Sequence, residues 1–511
     1  MKATYYVTTP IFYVNGAPHI GHASTSVAAD VLARWKRLDG YDVLFLTGTD
    51  EHGQKVEKAA ADAGMEPQAF VDQVSDEFRA MGTLMGLSND IFFRTTEDRH
   101  RVACQALWTR LQERGEIYLG QYEGWYAIRD EAFYAEEETE LRDGIRLATA
   151  TGASVEWVTE PSYFFRLSAW GERLLALYED VPDTIMPAGR RREVMSFVRG
   201  GLTDLSVSRT SFRWGIPVPG DPAHVMYVWL DALANYITAL GFPDETADLW
   251  RFWPADTQIV GKDIIRFHSV YWPAFLMAAG LAPPRRVFAT GWWTVRGEKM
   301  SKSLGNVVAP AELVEKYGLD PVRFFLLREV PFGNDGDFND AALVRRMNTE
   351  LANDLGNLAQ RTLTQIARNL DGVLPPPGIH TEDDIVLLAF ARGLPHALRP
   401  LMDRLALGEA IEEVWKVIRA ANSYIDRQAP WALRKTDPAR MADVLRLLVD
   451  VLRPIAVVLL PVMPGSMGRM LDQLGVPTDA RDLASLEQPV PAGITLPAPA
   501  GIFPRHVEVA A

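Results

Sequence analysis

The chain has 511 residues, more than one ordinary domain of about 150 residues can use, so three to four domains are expected. With 48% hydrophobic and 23% charged residues, disorder as the dominant state is excluded. The net charge of -14, from 52 Lys+Arg against 66 Asp+Glu, argues against a protein that coats nucleic acid by bulk positive charge. The single cysteine, Cys104, excludes an intramolecular disulfide framework and a multi-thiolate metal cluster, and suits a reducing cytoplasm.

In chain order, Tyr5 to Thr9 is predicted to be a strand rather than a secretory signal. A loop follows, then a helix from about Ile20 to Leu38 with Ile20, Val27, Val31, Trp35 and Leu38 mostly on one face and Gly40 just past its end. Val43 to Thr47 reads as a second, wholly apolar strand. Apolar strands spaced by helices predict a parallel sheet covered on both faces. From about Gly115 to Asp221 the texture changes to short strand-like pieces, such as Gly124 to Ile128 and Ser154 to Val158, and this reads as an insertion. Its acidic run Glu136 to Glu138 is expected at a solvated hairpin tip. The α/β pattern resumes at Val225 to Leu230 and at Gln258 to Gly261.

After about Asn339 the spacing of Ile385, Leu388, Phe390, Leu394, Leu405, Ile411, Val414 and Ile418 predicts an antiparallel helical bundle. Leu374 to Gly378 is a loop between helices, and the Pro- and Ala-rich last stretch, Pro489 to Pro504, is expected to lie on the surface. The apolar run Ile455 to Val462 is short and flanked by prolines, so no membrane span is predicted there. Residues 341–511 hold 18 basic and 19 acidic side chains, net -1, which leaves -13 for residues 1–340. The helical third is the part best suited to meet a polyanion.

Two segments carry chemistry. Pro18-His19-Ile20-Gly21-His22 stands after the first strand, at the mouth of the first helix. His19 and His22 share a face of a helix N-terminus, whose free N–H groups suit phosphate, and Gly21 lets a ligand approach. Gly297-Glu298-Lys299-Met300-Ser301-Lys302-Ser303-Leu304-Gly305-Asn306 is a donor-rich loop able to close on a polyphosphate and stabilise departing pyrophosphate. Neither a Walker loop nor a dinucleotide glycine fingerprint is present. By periodicity alone, Trp229, Ala232, Leu233 and Tyr236 form one helical stripe, and His268 with Trp272 another; both would pass as core.

His-Ile-Gly-His with Lys-Met-Ser-Lys-Ser is the signature pair of class I aminoacyl-tRNA synthetases. With Tyr13 to His22, Gly48-Thr49-Asp50-Glu51-His52-Gly53, Tyr227 to Ala232, Gly261-Lys262-Asp263-Ile264 and Phe267-His268-Ser269, the chain resembles the methionyl-tRNA synthetase family over essentially its whole length. The resemblance implies an α/β fold with a Rossmann-type parallel-sheet catalytic domain in two halves, 1–114 and 222–290, split by a connective insertion at 115–221. It further implies a stem-contact segment with the lysine loop at 291–345, an α-helical bundle that binds the anticodon at 346–490, and a tail at 491–511. The implied reaction joins L-methionine and ATP, with accompanying Mg2+, into methionyl-adenylate and transfers methionine to initiator and elongator methionine tRNA.

By the same resemblance, His19, Gly21, His22, Lys262, Asp263, Lys299 and Lys302 bind ATP, with Lys302 first in line to stabilise pyrophosphate. Ile11, Phe12, Tyr13, Trp229, Ala232, Leu233, Tyr236, His268 and Trp272 line a methionine slot, Tyr13 and His268 hydrogen-bonding near the sulfur. Asp50 binds the α-ammonium and Arg209 lies near the polar end, possible partner of Asp50. Asn357, Arg361 and Trp431 read the anticodon by amide hydrogen bonds and stacking. Tyr126 to Asp130 stands where many relatives carry Cys-x-x-Cys, so no zinc is expected. A further C-terminal dimerisation domain is lacking, which predicts a monomer, and the single cysteine with no secretory signal predicts the cytoplasm. The large editing insertions of the branched-chain synthetases do not fit the insertion here, and the helical domain argues against a nucleotidyltransferase that never meets RNA.

Overall fold

The structure, a computed structural model, describes residues 2–130, 132–300 and 305–507. Among them the strands β1 (Thr4–Tyr13), β2 (Asp42–Asp50), β3 (Ile91–Arg94), β4 (Ile185–Met186), β5 (Thr257–Gly261) and β6 (Val287–Thr290) form one sheet in the order β3-β2-β1-β5-β6-β4. Every neighbouring pair is parallel. The strands of such a sheet are buried on both faces, and β1 and β2 have almost no polar, solvated positions. Helix α1 (Ile20–Leu38) makes the crossover from β1 to β2. Its predicted and observed bounds coincide, because the apolar stripe and the punctuating Gly40, at φ 90°, mark both ends. The order places β1 between β2 and β5, so the chain leaves β1 and β5 on either side of a crevice at their carboxyl ends, where open α/β sheets bind ligands.

Val225 to Leu230 departs from expectation. Asp221–Met226 is a strand, but it pairs antiparallel with Ser208–Arg209 and with Pro217–Val218, outside the parallel sheet. From Val228 the chain is already helical, as α3 (Val228–Thr238), preceded along the sequence by α2 (Asp98–Glu113). The leucines and alanines of Val228–Thr238, with an extended Tyr227 as N-cap, favour helix where a short apolar window read alone looked like strand.

The insertion carries an antiparallel sheet, with Ile117–Ala127 paired along Glu156–Phe165. A small core of Ala127, Ala148, Ala153 and Val155 is covered by Trp125 and Tyr134. Trp125 meets Trp157 edge-on at 5.2 Å and Arg146 at 4.4 Å. Asp130 closes the turn by accepting from Tyr134 Oη at 2.9 Å and from Thr151. The acidic run is exposed, as expected, in a short turn of helix beside the hairpin Thr139–Arg142 and Ile145–Ala148.

The C-terminal third is helical, with the long helices Leu407–Gln428 and Pro438–Leu459 at its centre. Arg446 and Arg453, both buried, donate to the carbonyls of Val490, Gln488 and Ser485, and Leu496 and Ile502 are buried, so the chain end is packed onto the bundle rather than merely laid on it. The stretch Glu382–Asp403 is long and apolar enough to cross a membrane by composition. It breaks at Gly393, and Asp384 near its start is buried against Tyr424 and Arg440 inside the bundle. The bundle meets α1 directly: Val31 and Trp35 pack with Leu398, Met402, Leu407 and Ile411. Arg323, wholly buried, donates to Asp30 of α1 at 2.7 Å and to the carbonyls of Met85, Pro461 and Val462.

Candidate active site and anticodon face

At the mouth of α1, His19 is the N-cap. Its Nδ1 accepts the Gly21 N–H at 3.1 Å, and His22 Nδ1 accepts the His19 N–H at 3.1 Å. The imidazoles stack at 3.8 Å. Burial first, then the neighbouring His19, holds His22 well below the usual histidine range. Because both Nδ1 atoms accept from backbone N–H groups, each neutral ring carries its proton on Nε2. The pair therefore offers N–H donors at a helix N-terminus without needing charge. Gly21 has a second reason to be glycine: a Cβ there would lie 2.9 Å from His19 Cε1. Phe12 is buried against His22 and Phe78, at 5.0 and 5.4 Å. On a strand, alternate residues face opposite ways, so Phe12 lies under the imidazoles while Ile11 and Tyr13 share the other face. The structure thus does not place Phe12 with the slot residues.

The aromatic stripes do converge. Ala232, Leu233 and Tyr236 are buried on α3, and Tyr236 Oη is 2.8 Å from His268 Nε2. His268 Nδ1 is 3.1 Å from the Ile264 carbonyl, which can only accept. His268 therefore donates from Nδ1 and receives the Tyr236 hydroxyl proton at Nε2. Burial pushes it down to about 4, so it stays neutral. Both nitrogens are thus engaged, and His268 orients the Tyr236 hydroxyl. Trp272 is fully buried 6.2 Å from the Tyr236 ring. Trp229 stacks on Phe267 at 3.5 Å and 7°, a partner that lay in a quoted motif but had no assigned role.

Asp50 ends β2 opposite Tyr13 of β1, buried, with its carbonyl accepting the Val14 N–H at 3.2 Å. The next residue, Glu51, is locked by Arg94 at 2.7 and 3.0 Å. His52 Nδ1 and His100 Nε2 each lie 2.7 Å from Asp231, on the face of α3 away from the stripe. This buried network, which Cys104 joins at 3.3 Å from His100, ties the loop after β2 and helix α2 to α3. Arg209 is buried in an ion pair with Glu160 and lies 4.0 Å over the Tyr126 ring. Glu160 was not singled out by sequence.

Gly261 ends β5 and delivers Lys262 and Asp263 to the crevice. Lys262 Nζ contacts both oxygens of Asp335 at 2.7 Å and sits 4.1 Å over Trp292, while Asp263 accepts from Trp292 Nε1 at 3.1 Å. The hairpin Trp293–Val295 and Glu298–Lys299 carries the start of the lysine loop; Lys302 lies outside the described residues. The Ile20 N–H of α1 donates to the Val308 carbonyl at 3.0 Å, so the segment just past the loop meets the imidazole mouth.

In the bundle, Asn357 and Arg361 share the helix Asn357–Asn369, and Asn357 is exposed. Arg361 pairs with Asp426 at 2.5 Å and lies 5.1 Å from the Trp431 ring, so two of the three expected anticodon residues meet. Trp431 is 45% exposed, so its ring is open to solvent rather than packed in the core. Ala429 at φ 43° turns the chain to present it.

A parallel sheet with a His-x-x-His helix mouth at its switch point, a lysine-bearing hairpin beside it and a helical domain behind it defines a class I aminoacyl-tRNA synthetase. Residues 5–144 and 139–363 match the family "tRNA synthetases class I (M)", and residues 374–508 match "Anticodon binding domain of methionyl tRNA ligase". The chain is 55% identical to the methionine–tRNA ligase of Brucella suis biovar 1 (strain 1330), over 99% of each chain. It is 53% identical to that of Mycobacterium tuberculosis (strain CDC 1551 / Oshkosh), over 98% of each. The solved structure of Mycobacterium tuberculosis methionyl-tRNA synthetase in complex with methionyl-adenylate superposes with a TM-score of 0.97 at 53% identity, covering 98% of this chain and 100% of that one. Its apo form gives 0.91 at 49% identity, covering 100% and 99%. The chain belongs to the methionyl-tRNA synthetase family: it is a methionine–tRNA ligase.

Proposed function

We propose that this site runs methionine activation by positioning and charge stabilisation, with no covalent enzyme intermediate. The methionine carboxylate attacks the α-phosphorus of ATP and pyrophosphate departs; the 3′ end of the tRNA then takes the methionyl group from the adenylate. Asp50 holds the α-ammonium, Arg209 with Glu160 closes the polar end, and Trp229, Ala232, Leu233, Tyr236 and Trp272 with Ile11 and Tyr13 wall the thioether. His19 and His22 donate to phosphate oxygens as neutral imidazoles, and Lys262, Asp263, Lys299 and Lys302 complete the ATP grip. Magnesium accompanying ATP would neutralise part of the phosphate charge beside His19, His22 and Lys262.

One observation carries this reading: the two Nδ1-engaged imidazoles cap α1 beside the segment that leaves the lysine loop, joined by the Ile20–Val308 hydrogen bond. Methionine-dependent ATP–pyrophosphate exchange tests it. Lys302→Ala should slow exchange by about 100-fold while methionine affinity holds, since the charge acts in the transition state; equal losses in both would overturn the role. Asn357, Arg361 and Trp431 read the anticodon of initiator and elongator methionine tRNA, supported by the exposed Trp431 beside Arg361. We further infer that the enzyme works as a cytoplasmic monomer; a sedimentation mass near twice 57.0 kDa at micromolar concentration would refute the monomer.

A further inference from the structure

Phe267, His268 and Trp272 do not lie on an ordinary α-helix. Phe267–Tyr271 is a π-helical turn, in which the Trp272 N–H donates to the Phe267 carbonyl five residues back. The wide turn has a cause in the sequence. Pro273 has no N–H to give to the Ser269 carbonyl four residues before it, and its ring crowds that carbonyl out of α-helical register. A wider turn rotates each residue through less than the ~100° of an α-helix. Phe267, His268 and Trp272 therefore face α3 together. Phe267 stacks on Trp229 at 3.5 Å, His268 Nε2 meets Tyr236 Oη at 2.8 Å, and Trp272 lies 6.2 Å from the Tyr236 ring. The donor that Pro273 cannot supply comes from the insertion. Tyr178, near the end of the helix Gly171–Asp180, is wholly buried, and its Oη donates to the Ser269 carbonyl. That helix has a firm seat. The strand after it, β4, is the edge of the parallel sheet and pairs with β6, and in the next helix, Ala188–Arg199, the Phe197 ring lies 4.3 Å from the Arg266 guanidinium, just before the turn.

We propose that Tyr178 is a positioning residue for methionine: its hydroxyl stands in for the N–H that Pro273 lacks, and so holds the π-helical turn that aims Phe267, His268 and Trp272 at α3. The inference rests on the reading that the side chains on this turn and on α3 wall the methionine slot. Tyr178 acts through the backbone. A buried carbonyl left without a donor draws the turn towards any donor within reach, and rewinding the turn rotates all three side chains at once. The ATP grip is held separately, by the cap of α1 and by Lys262, which Asp335 fixes at 2.7 Å. Loss of the Tyr178 hydroxyl therefore acts on one substrate and spares the other.

The test compares the full-length wild type, Tyr178→Phe, Pro273→Ala and Tyr178→Phe/Pro273→Ala enzymes in methionine-dependent ATP–pyrophosphate exchange. Tyr178→Phe keeps the ring and removes only the donor. It is expected to raise the methionine KM by about tenfold, with kcat and the ATP KM within about twofold of wild type. Pro273→Ala restores the N–H and lets the turn wind as α-helix, so it should also raise the methionine KM by about tenfold. In that background the hydroxyl has no carbonyl left to serve, and the double variant should stay within about twofold of Pro273→Ala. A methionine KM unchanged in either single variant would overturn the proposal, as would multiplied losses in the double variant or an equal rise in the ATP KM. Should Tyr178→Phe fail to fold, Pro273→Ala decides by itself on the same split between methionine and ATP. A wild-type enzyme whose exchange does not depend on methionine would sink the slot reading, and the proposal with it.

Discussion

Asp231 and His52, 179 positions apart, are joined by a 2.7 Å contact in the buried space behind the methionine slot, and His100 approaches the other Asp231 oxygen at the same distance. Burial pushes the Asp231 carboxyl up, but His52 and His100 more than reverse this and hold it down to about 2. Burial pushes His52 down, and Asp231 outweighs that and raises it. A carboxylate with a lowered folded value stabilises above its unfolded value of 3.8 and loses that as pH falls. A histidine with a raised folded value stabilises below its unfolded value of 6.5 and loses that as pH rises through the folded one. The stability advantage of wild type over Asp231→Asn should thus peak between about pH 4 and 6.5, at about 3 kcal/mol, as for removal of one partner of a buried pair. Denaturant titrations across pH check this; a flat difference would mean that the two groups are not coupled in the folded state.

The N-cap role of His19 can be separated from its donor role. Asparagine caps helices well, so His19→Asn should keep the melting temperature within a few degrees. It lacks a group at the Nε2 position, and exchange should fall by about 100-fold. A variant that melts early would show that the cap, not the donor, explains any lost activity.

How far could this have been read without a structure? The local signals sufficed for α1 and for the two apolar strands, because each is written in contiguous residues. The slot stripe on α3 was legible as periodicity, and the resemblance gave it a purpose. What escaped was pairing across distance. Glu160 for Arg209, Asp335 for Lys262 and Asp426 for Arg361 leave no mark at either position. Asp231, the partner of His52 and His100, did give one hint, as the one charged residue in Val228–Thr238. Phe12 was misplaced for the simplest reason: neighbours on a strand face opposite ways.

Trp431→Ala should separate the two substrates. One base stacked on an aromatic ring contributes about 1–3 kcal/mol, so kcat over KM for tRNA should fall by roughly five- to 150-fold. Pyrophosphate exchange, which needs no tRNA, should stay within about twofold. If exchange collapses as well, the ring is holding the bundle together.

The insertion is expected to need no zinc. The turn at Asp130 is closed by Tyr134 and Thr151, and the alanine and valine core beneath it is apolar. Metal analysis of purified protein should find well under one zinc per chain, and chelator should change neither melting nor exchange; stoichiometric zinc, or melting at lower temperature in chelator, would refute this.

Helix α1 is touched at both ends by different parts of the task. Its first turn holds the imidazoles, and its far half holds Asp30, Val31 and Trp35 against Arg323 and the bundle. Nineteen residues of helix measure about 28 Å, and a rod of that length swings its tip by about 0.5 Å for each degree of tilt, which is the tolerance of a catalytic constellation. The domain that holds the tRNA at one end is therefore also a lever on the atoms that meet ATP at the other, and its seating has to be stiff to within a degree for the enzyme to work at all.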